Sequence, residues 1–319
     1  MIETLNHNPE ASKYLAAVNK LEGQKKCDPH EVVEYLTKII ELEPEYAPAY
    51  IKRSSYNFKF CEYGMAMQDV NAAIELGTQD PEAFFRRAEC YEIIGNKEEE
   101  RMADIKKVLE LDSRHAQANA VMGHYFFEIG KKKQAYIHFT EAIDSKTNDP
   151  LVFLKRATMN MEDERYEYAI VDLLNSQKCN PRNTILFTLR AECYHKIGAI
   201  DKAIQDYKSA AFLEPHNPEH YYQMGLLYYE KGELNDAIIH FDMLIRMEPD
   251  YSLGYYSRGI AYLENNDVAA AIADLEKAFE MAPNAETCQL LAIAYAEAGN
   301  DELSQKYYDK AIEMGAQAE

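Results

Sequence analysis

Apolar residues along the chain fall in stretches of about a dozen positions with helical spacing, and each pair of stretches flanks a short turn signal such as Lys231-Gly232-Glu233. The pattern repeats. In residues 218–251 its landmarks are Tyr221, Gly225, Tyr228, Gly232, Ala237, Phe241 and Pro249. Thirty-four residues later stand Tyr255, Gly259, Tyr262, Asn266, Ala271, Leu275 and Pro283, and thirty-four earlier stand Phe187, Ala191, Tyr194, Gly198, Ala203, Tyr207 and Pro215. The string Arg87-Ala88-Glu89-Cys90-Tyr91 returns as Arg190-Ala191-Glu192-Cys193-Tyr194. The register predicts eight units, at 47–80, 81–115, 116–149, 150–183, 184–217, 218–251, 252–285 and 285–318, with one extra residue near 98–101. Residues 1–46 read as a degenerate capping unit, which keeps the tail Ile39-Ile40-Glu41-Leu42-Glu43-Pro44.

Helices this short are marginal alone in water, so each has to dock on its neighbours. Small residues stand where two helix backbones must approach: Gly123, Gly225 and Gly259 in first helices, Ala135, Ala237 and Ala271 in second helices. Pro81, Pro150 and Pro218 suit the first position of a helix, where a missing N–H does no harm. Pro181, Pro215, Pro249 and Pro283 suit the exit from one. The expected fold is an all-α solenoid formed as one continuous stack.

This spacing resembles the tetratricopeptide (TPR) family, over nearly the whole chain. The resemblance implies a right-handed superhelix of about nine helix-turn-helix repeats, whose first helices line a concave groove that holds an extended peptide or a partner helix.

The units also covary internally. The seventh position is Arg53, Arg87, Arg156, Arg190 or Arg258 in five units, and sixteen or seventeen residues on stand Asp69, Asp104, Asp172, Asp206 and Asp274. Where the first member is Met122 or Met224 the second is His138 or His240, and where it is Leu291 the second is Tyr307. Chemistry is not normally repeated five times along a solenoid, so these read as structural Arg–Asp bridges between the two helices of a unit.

Composition narrows the function. The 319 residues include 54 acidic and 34 basic ones, a net charge of -20, which argues against a nucleic-acid partner and leaves Lys131-Lys132-Lys133 as a solvated turn. No apolar run has the roughly 20 residues of a membrane span, and no secretory signal is visible at Met1 to Pro9. The cysteines Cys27, Cys61, Cys90, Cys179, Cys193 and Cys288 are scattered without a C-x-x-C pair, as expected for free thiols in a cytoplasmic protein. No phosphate loop, H-E-x-x-H or nucleophile elbow occurs. His216 and His220 are separated by the helix-opening Pro218, and His124 and His138 read as structural. The expectation is a protein that is not an enzyme and has no cofactor or metal.

In the TPR family the groove-facing positions are the second, fifth, ninth, twelfth and thirteenth. The resemblance then points to Tyr222, Leu226, Tyr229, Glu230, Tyr256, Ile260, Leu263 and Glu264, an aromatic floor with carboxylates beside it. Residues 218–319 hold 19 acidic and 6 basic residues, so the implied partner is a basic, partly apolar protein segment. The clamp with which co-chaperone TPR domains grip acidic chaperone tails needs Lys at the fifth and Asn at the ninth position. Those positions read Ile51, Phe85, Ala120, Leu154, Thr188, Tyr222, Tyr256, Gln289 and Ser55, Glu89, His124, Thr158, Glu192, Leu226, Ile260, Ile293, which makes such a partner unexpected. The leading expectation is a scaffold or adaptor. The alternative is a self-assembling structural protein, a homo-oligomer stacked through its terminal repeats.

Overall fold

The computed structural model describes residues 8–24, 27–95 and 97–315. Nine residues of the N-terminal capping unit (1–7 and 25–26), Asn96 after Gly95, and the last residues of the 285–318 unit lie outside these. The described residues form eighteen α-helices and no strand, an all-α repeat solenoid.

The helices fall into two compact units, Met1–Val152 and Phe153–Glu319. The first holds the hairpins α1 (Pro9–Glu22) with α2 (Pro29–Leu42), α3 (Ala47–Lys59) with α4 (Tyr63–Glu75), α5 (Pro81–Ile94) with α6 (Glu98–Leu111), and α7 (Ala116–Glu128) with α8 (Lys132–Asp144). Then follow α9 (Pro150–Glu162), whose first three residues belong to the first unit, and α10 (Tyr166–Cys179). The second unit continues with α11 (Thr184–Lys196) and α12 (Ile200–Leu213), α13 (Pro218–Glu230) and α14 (Leu234–Met247). It ends with α15 (Ser252–Glu264) and α16 (Val268–Met281), α17 (Ala285–Glu297) and α18 (Asp301–Glu313).

Local chemistry explains where helices start and stop. Pro9, Pro29, Pro81 and Pro218 open α1, α2, α5 and α13. The side chains of Asn8, Asp28, Asp80 and Asn217 accept the exposed N–H two residues on, at 2.9, 2.9, 2.9 and 3.1 Å. Within each hairpin from α3–α4 to α17–α18 the turn carries a residue with positive φ. Gly130, Gly198, Gly232 and Gly299 take φ of 73° to 80° there, and Cys61, Glu164 and Asn266 adopt it in the units without glycine. The extra residue expected near 98–101 is accommodated before α6 instead. α5 runs a further residue to Ile94, Gly95 closes it by donating its N–H to the Tyr91 carbonyl at 3.0 Å, and α6 is unbroken from Glu98.

The hairpins close through small residues set against large ones. A Cβ on Gly123 would stand 2.4 Å from the Phe139 ring, one on Gly225 2.5 Å from Phe241, and one on Gly259 2.9 Å from Leu275. Those three partners are essentially inaccessible to solvent. The two backbones are therefore close because an aromatic or leucine side chain occupies the space left by the missing Cβ. In the 150–183 unit the same two positions are Ala157 and Leu173, both buried.

Gly225→Ala is expected to cost roughly 1–3 kcal/mol by overpacking. Adding Phe241→Leu, which recreates the Ala157–Leu173 combination, should cost less than the sum of the two single changes. Urea unfolding of the four proteins measures this, and strict additivity would contradict the packing account.

Candidate functional site

Two sets of residues were singled out by the sequence, and the structure places them differently. In the first set every Arg faces its Asp across a hairpin as a two-pronged pair. Arg53 donates to Asp69 at 3.0 and 2.6 Å, Arg87 to Asp104 at 2.7 and 2.7 Å, and Arg156 to Asp172 at 2.9 and 2.7 Å. Arg190 donates to Asp206 at 2.7 and 2.6 Å, and Arg258 to Asp274 at 2.7 and 2.8 Å. All five aspartates are buried.

Burial of both charges demands further partners, and they are present. Asn57 and Asn160 donate to Asp69 and Asp172 at 3.1 and 3.2 Å. The remaining guanidinium nitrogen reaches back to the preceding hairpin: Arg53 to Thr37 at 3.1 Å, Arg87 to Asn71 at 3.4 Å, Arg258 to Asp242 at 3.0 Å, and Arg190 to Gln177. An aromatic ring four residues into the same helix lies under the charge, Tyr50, Phe84, Phe187 and Tyr255, at 5.5 to 6.0 Å. Hydrogen bonding to the aspartates raises the Arg87, Arg190 and Arg258 pKa above the ordinary guanidinium value, against the opposing effect of burial. These groups are consumed by structure, which leaves them nothing to offer a ligand.

The units without the pair fill the same place with ring packing. His138 lies 2.9 Å from the Asn119 amide oxygen and stacks on Phe126 at 5.4 Å, and burial lowers its pKa. His240 lies 2.8 Å from the Asp236 carbonyl and 5.0 Å from the Tyr228 ring. Tyr307 stacks on Tyr295 at 5.6 Å. Among the other histidines singled out, His220 pairs with Glu214 at 3.3 Å and His124 with Asp149 at 3.2 Å. Among the described residues no three His, Cys, Asp or Glu side chains converge in a way that could hold a metal ion.

The second set is the aromatic floor on the first helices α13 and α15. Tyr222, Leu226, Tyr229, Tyr256, Ile260 and Leu263 are all half-buried, and Glu230 and Glu264 are exposed. Tyr222, Leu226 and Tyr229 pack against the core around Phe241 and Leu227, and Tyr222 also meets the Tyr251 ring edge-on at 6.2 Å. Tyr256 and Leu263 pack against the Leu275 and Leu291 cluster. Each ring therefore has one face in the inter-helix core and one edge turned outward. Burial raises the Tyr222 and Tyr256 phenols and lifts Tyr229 to about 12, with help there from the hydrogen bond to Glu264.

The carboxylates are not isolated. The Tyr229 hydroxyl donates to Glu264, and His195 Nε2 lies 2.6 Å from Glu230 Oε2. Both contacts join the twelfth position of one unit to the thirteenth of the next, so they tie adjacent first helices together while leaving the acids at the surface.

Of the eight floor residues, Tyr256 and Ile260 border a cavity. It holds about 530 Å³ and is completed by Glu286, Gln289, Leu290, Ala292 and Ile293 of α17 and Tyr308 of α18. The sequence reading stopped one hairpin short of it. The signal was available in part, because Glu286, Gln289 and Ile293 hold the second, fifth and ninth positions of the last unit. Tyr308 was not legible, because the equivalent Phe139, Phe241 and Leu275 are core residues whereas Tyr308 is 38% exposed.

Comparison with known proteins finds the same kind of repeat. A family model described as TPR repeat matches residues 191–232, and one described as Tetratricopeptide repeat matches 222–286 and again 256–319. Residues 191–319 carry tetratricopeptide repeats, which supports a protein of the tetratricopeptide-repeat family. A curated relative, DnaJ homolog subfamily C member 3 of Gallus gallus, is 30% identical over 164 residues, which is 47% of this chain and 32% of that protein. The chain thus spans about a third of the length of that relative. Among solved structures, YrrB, described as a TPR protein with an unusual peptide-binding site, superposes with a TM-score of 0.50 at 23% identity, covering 59% of this chain and 97% of its own. A MamA crystal structure does so with 0.50 at 23% identity, covering 52% and 91%. These likenesses carry the repeat fold. That fold is one of protein interaction, and no helix among the described residues is long and apolar enough to cross a membrane.

The Arg190–Asp206 pair is the most enclosed of the five, at 8% exposure for each side chain. Arg190→Leu should cost roughly 3–5 kcal/mol, because Asp206 is left charged and buried. Adding Asp206→Leu should recover part of that loss. Chemical unfolding of the two singles and the double reads the coupling, and losses that simply add would contradict the bridge.

Proposed function

We propose that this TPR chain is a non-catalytic adaptor that holds a segment of a protein partner against the first helices of its second compact unit. The observation that carries the reading is the half-burial of Tyr222, Leu226, Tyr229, Tyr256, Ile260 and Leu263 on adjacent first helices, next to a cavity of about 530 Å³. Rings anchored in the core on one side present rigid apolar edges on the other, so little side-chain freedom is lost when a partner covers them. Such an exposed apolar surface is the ordinary mark of an interaction site.

Charge gives the partner its sign. Glu230, Glu264 and Glu286 stand beside the apolar surface, in a stretch whose net charge is -13. An apolar segment carrying Lys or Arg gains from that field in both encounter rate and specificity, and an acidic segment is repelled. Binding then rests on desolvation of the apolar anchors, with electrostatics as a salt-sensitive addition.

A random 12-residue peptide library displayed on phage and selected on the full chain tests this reading. The selected peptides should pair a bulky apolar residue with Lys or Arg, and their affinity should fall about tenfold or more in the Tyr222→Ala, Tyr256→Ala double variant with helicity retained. Acid-rich winners, or equal affinity for the variant, would overturn it.

A further inference from the structure

Two second helices carry an outward chemistry opposite to that of the aromatic floor. The nineteenth, twenty-second, twenty-fifth and twenty-ninth positions of a unit share one side of its second helix. In α10 they are Tyr168, Val171, Leu174 and Lys178, and in α12 they are Lys202, Gln205, Lys208 and Phe212. All of them are exposed, Tyr168 at 66%, Val171 at 56% and Phe212 at 84%. Both helices pack on α11 within the second compact unit.

The repeats supply the comparison. At the same four positions each of the other six units has at least one Asp or Glu, whereas α10 and α12 have none. The twenty-ninth position is Glu75, Glu110, Asp144, Glu280 or Glu313 in five of those units, where α10 and α12 have Lys178 and Phe212. The lysines are uncommitted. Lys178 donates to the neutral Asn175 at 2.9 Å, and Lys202 and Lys208 each lie 5.4 Å from a ring centre, of Tyr194 and Tyr228. None of the three has an ion-pair partner among the described residues. Asp172 and Asp206 are buried in their bridges, and the remaining acids of the two helices, Glu167 and Asp201, lie in the first turns. Lys231 holds Asp201 at 2.7 Å.

An apolar stripe bordered by free cations, in a chain of net charge -20, asks for an acidic occupant. Shape narrows the class. The ridge of Tyr168, Val171, Leu174 and Lys178 has helical spacing, the form that packs into the grooves of another helix. A broad anionic surface, such as a membrane, would also meet Asp236 and Asp242 at the same positions of α14, whereas a single helix, roughly 10 Å across, need not. We propose that α10 and α12 form a second docking surface, for an acidic amphipathic helix of a folded partner protein. The apolar side of that helix covers Tyr168, Val171 and Leu174, and its carboxylates meet Lys178 and the lysines of α12. A free peptide of about twelve residues is marginal as a helix in water, so the occupant has to be preformed. The surface lies on second helices and shares no residue with the groove, so it does not depend on the groove reading.

The test uses the full chain labelled with carbon-13 at its Ile, Leu and Val methyl groups. The probes are two hydrocarbon-stapled helical peptides, one with a Leu stripe bordered by Glu, the other with Lys in place of every Glu. The Glu helix should shift the Val171 and Leu174 methyl signals saturably, and the Lys helix should leave them in place. Val171→Glu, at an exposed site, should keep the helicity and weaken the Glu helix about tenfold or more, read at Leu174. Lys178→Glu should weaken it roughly fivefold, the upper range for an exposed ion pair. Equal response to both helices, or unchanged affinity in Val171→Glu, would overturn the proposal. A dimer seen by light scattering and lost in Val171→Glu would overturn it in favour of a second copy of the chain. Binding to phosphatidylserine vesicles that is lost in the same variant would overturn it in favour of a membrane. The Lys helix reports separately on the groove through Ile260 and Ile293, so either reading fails without the other.

Discussion

A helix of thirteen or fourteen residues does not hold together in water without a partner, and every helix described here has that length. The rest of the structure follows from this constraint. Each helix must cover one face on its hairpin partner and another on the next hairpin, and two packed neighbours leave the outer faces bare. Gly123, Gly225 and Gly259 let the hairpins close over Phe139, Phe241 and Leu275. The Arg–Asp pairs fasten the same closure with a charge that also reaches the hairpin before it. Charges placed so deep are tolerable only because their hydrogen-bonding capacity is met on several sides.

The same constraint produces the surface assigned to binding. A tyrosine at a first-helix position such as Tyr222 or Tyr229 spends one face on the inter-helix core and cannot bury the other, because no third layer of helices covers it. Its exposure is a consequence of the architecture, and a partner segment can supply what the fold lacks. The acids at Glu230 and Glu264 belong to the same logic. They bind His195 and Tyr229 of the preceding first helix and still face outward, so one carboxylate can serve both cohesion and recognition.

Much of this was legible in the sequence because a repeat carries its own comparison set. Five Arg–Asp matches at sixteen residues, or seventeen in the unit with the extra residue, with Met–His and Leu–Tyr replacing both members together, encode a contact without any second protein. What escaped lay where a unit departs from the average. Tyr308 occupies a position that is core in its equivalents, yet it lines a cavity, because α18 is packed chiefly on α17. The extra residue of the 81–115 unit was placed too far along, since residue types alone do not show whether a hairpin lengthens in its first helix or in its second. Pocket shape depends on what surrounds a position, whereas a register reports only the position.

The central claim is that partner binding resides on the first helices of the second unit. Site-specific photo-crosslinking tests it most directly, with benzoylphenylalanine placed either at Ile293, which lines the cavity, or at Ile239 on the second helix α14. The two positions are matched in exposure, at 49% and 54%. In native lysate the account predicts crosslinks from Ile293 to segments in which an apolar residue adjoins Lys or Arg, with little from Ile239. Equal crosslinking from both positions, or acid-rich segments at Ile293, would contradict it.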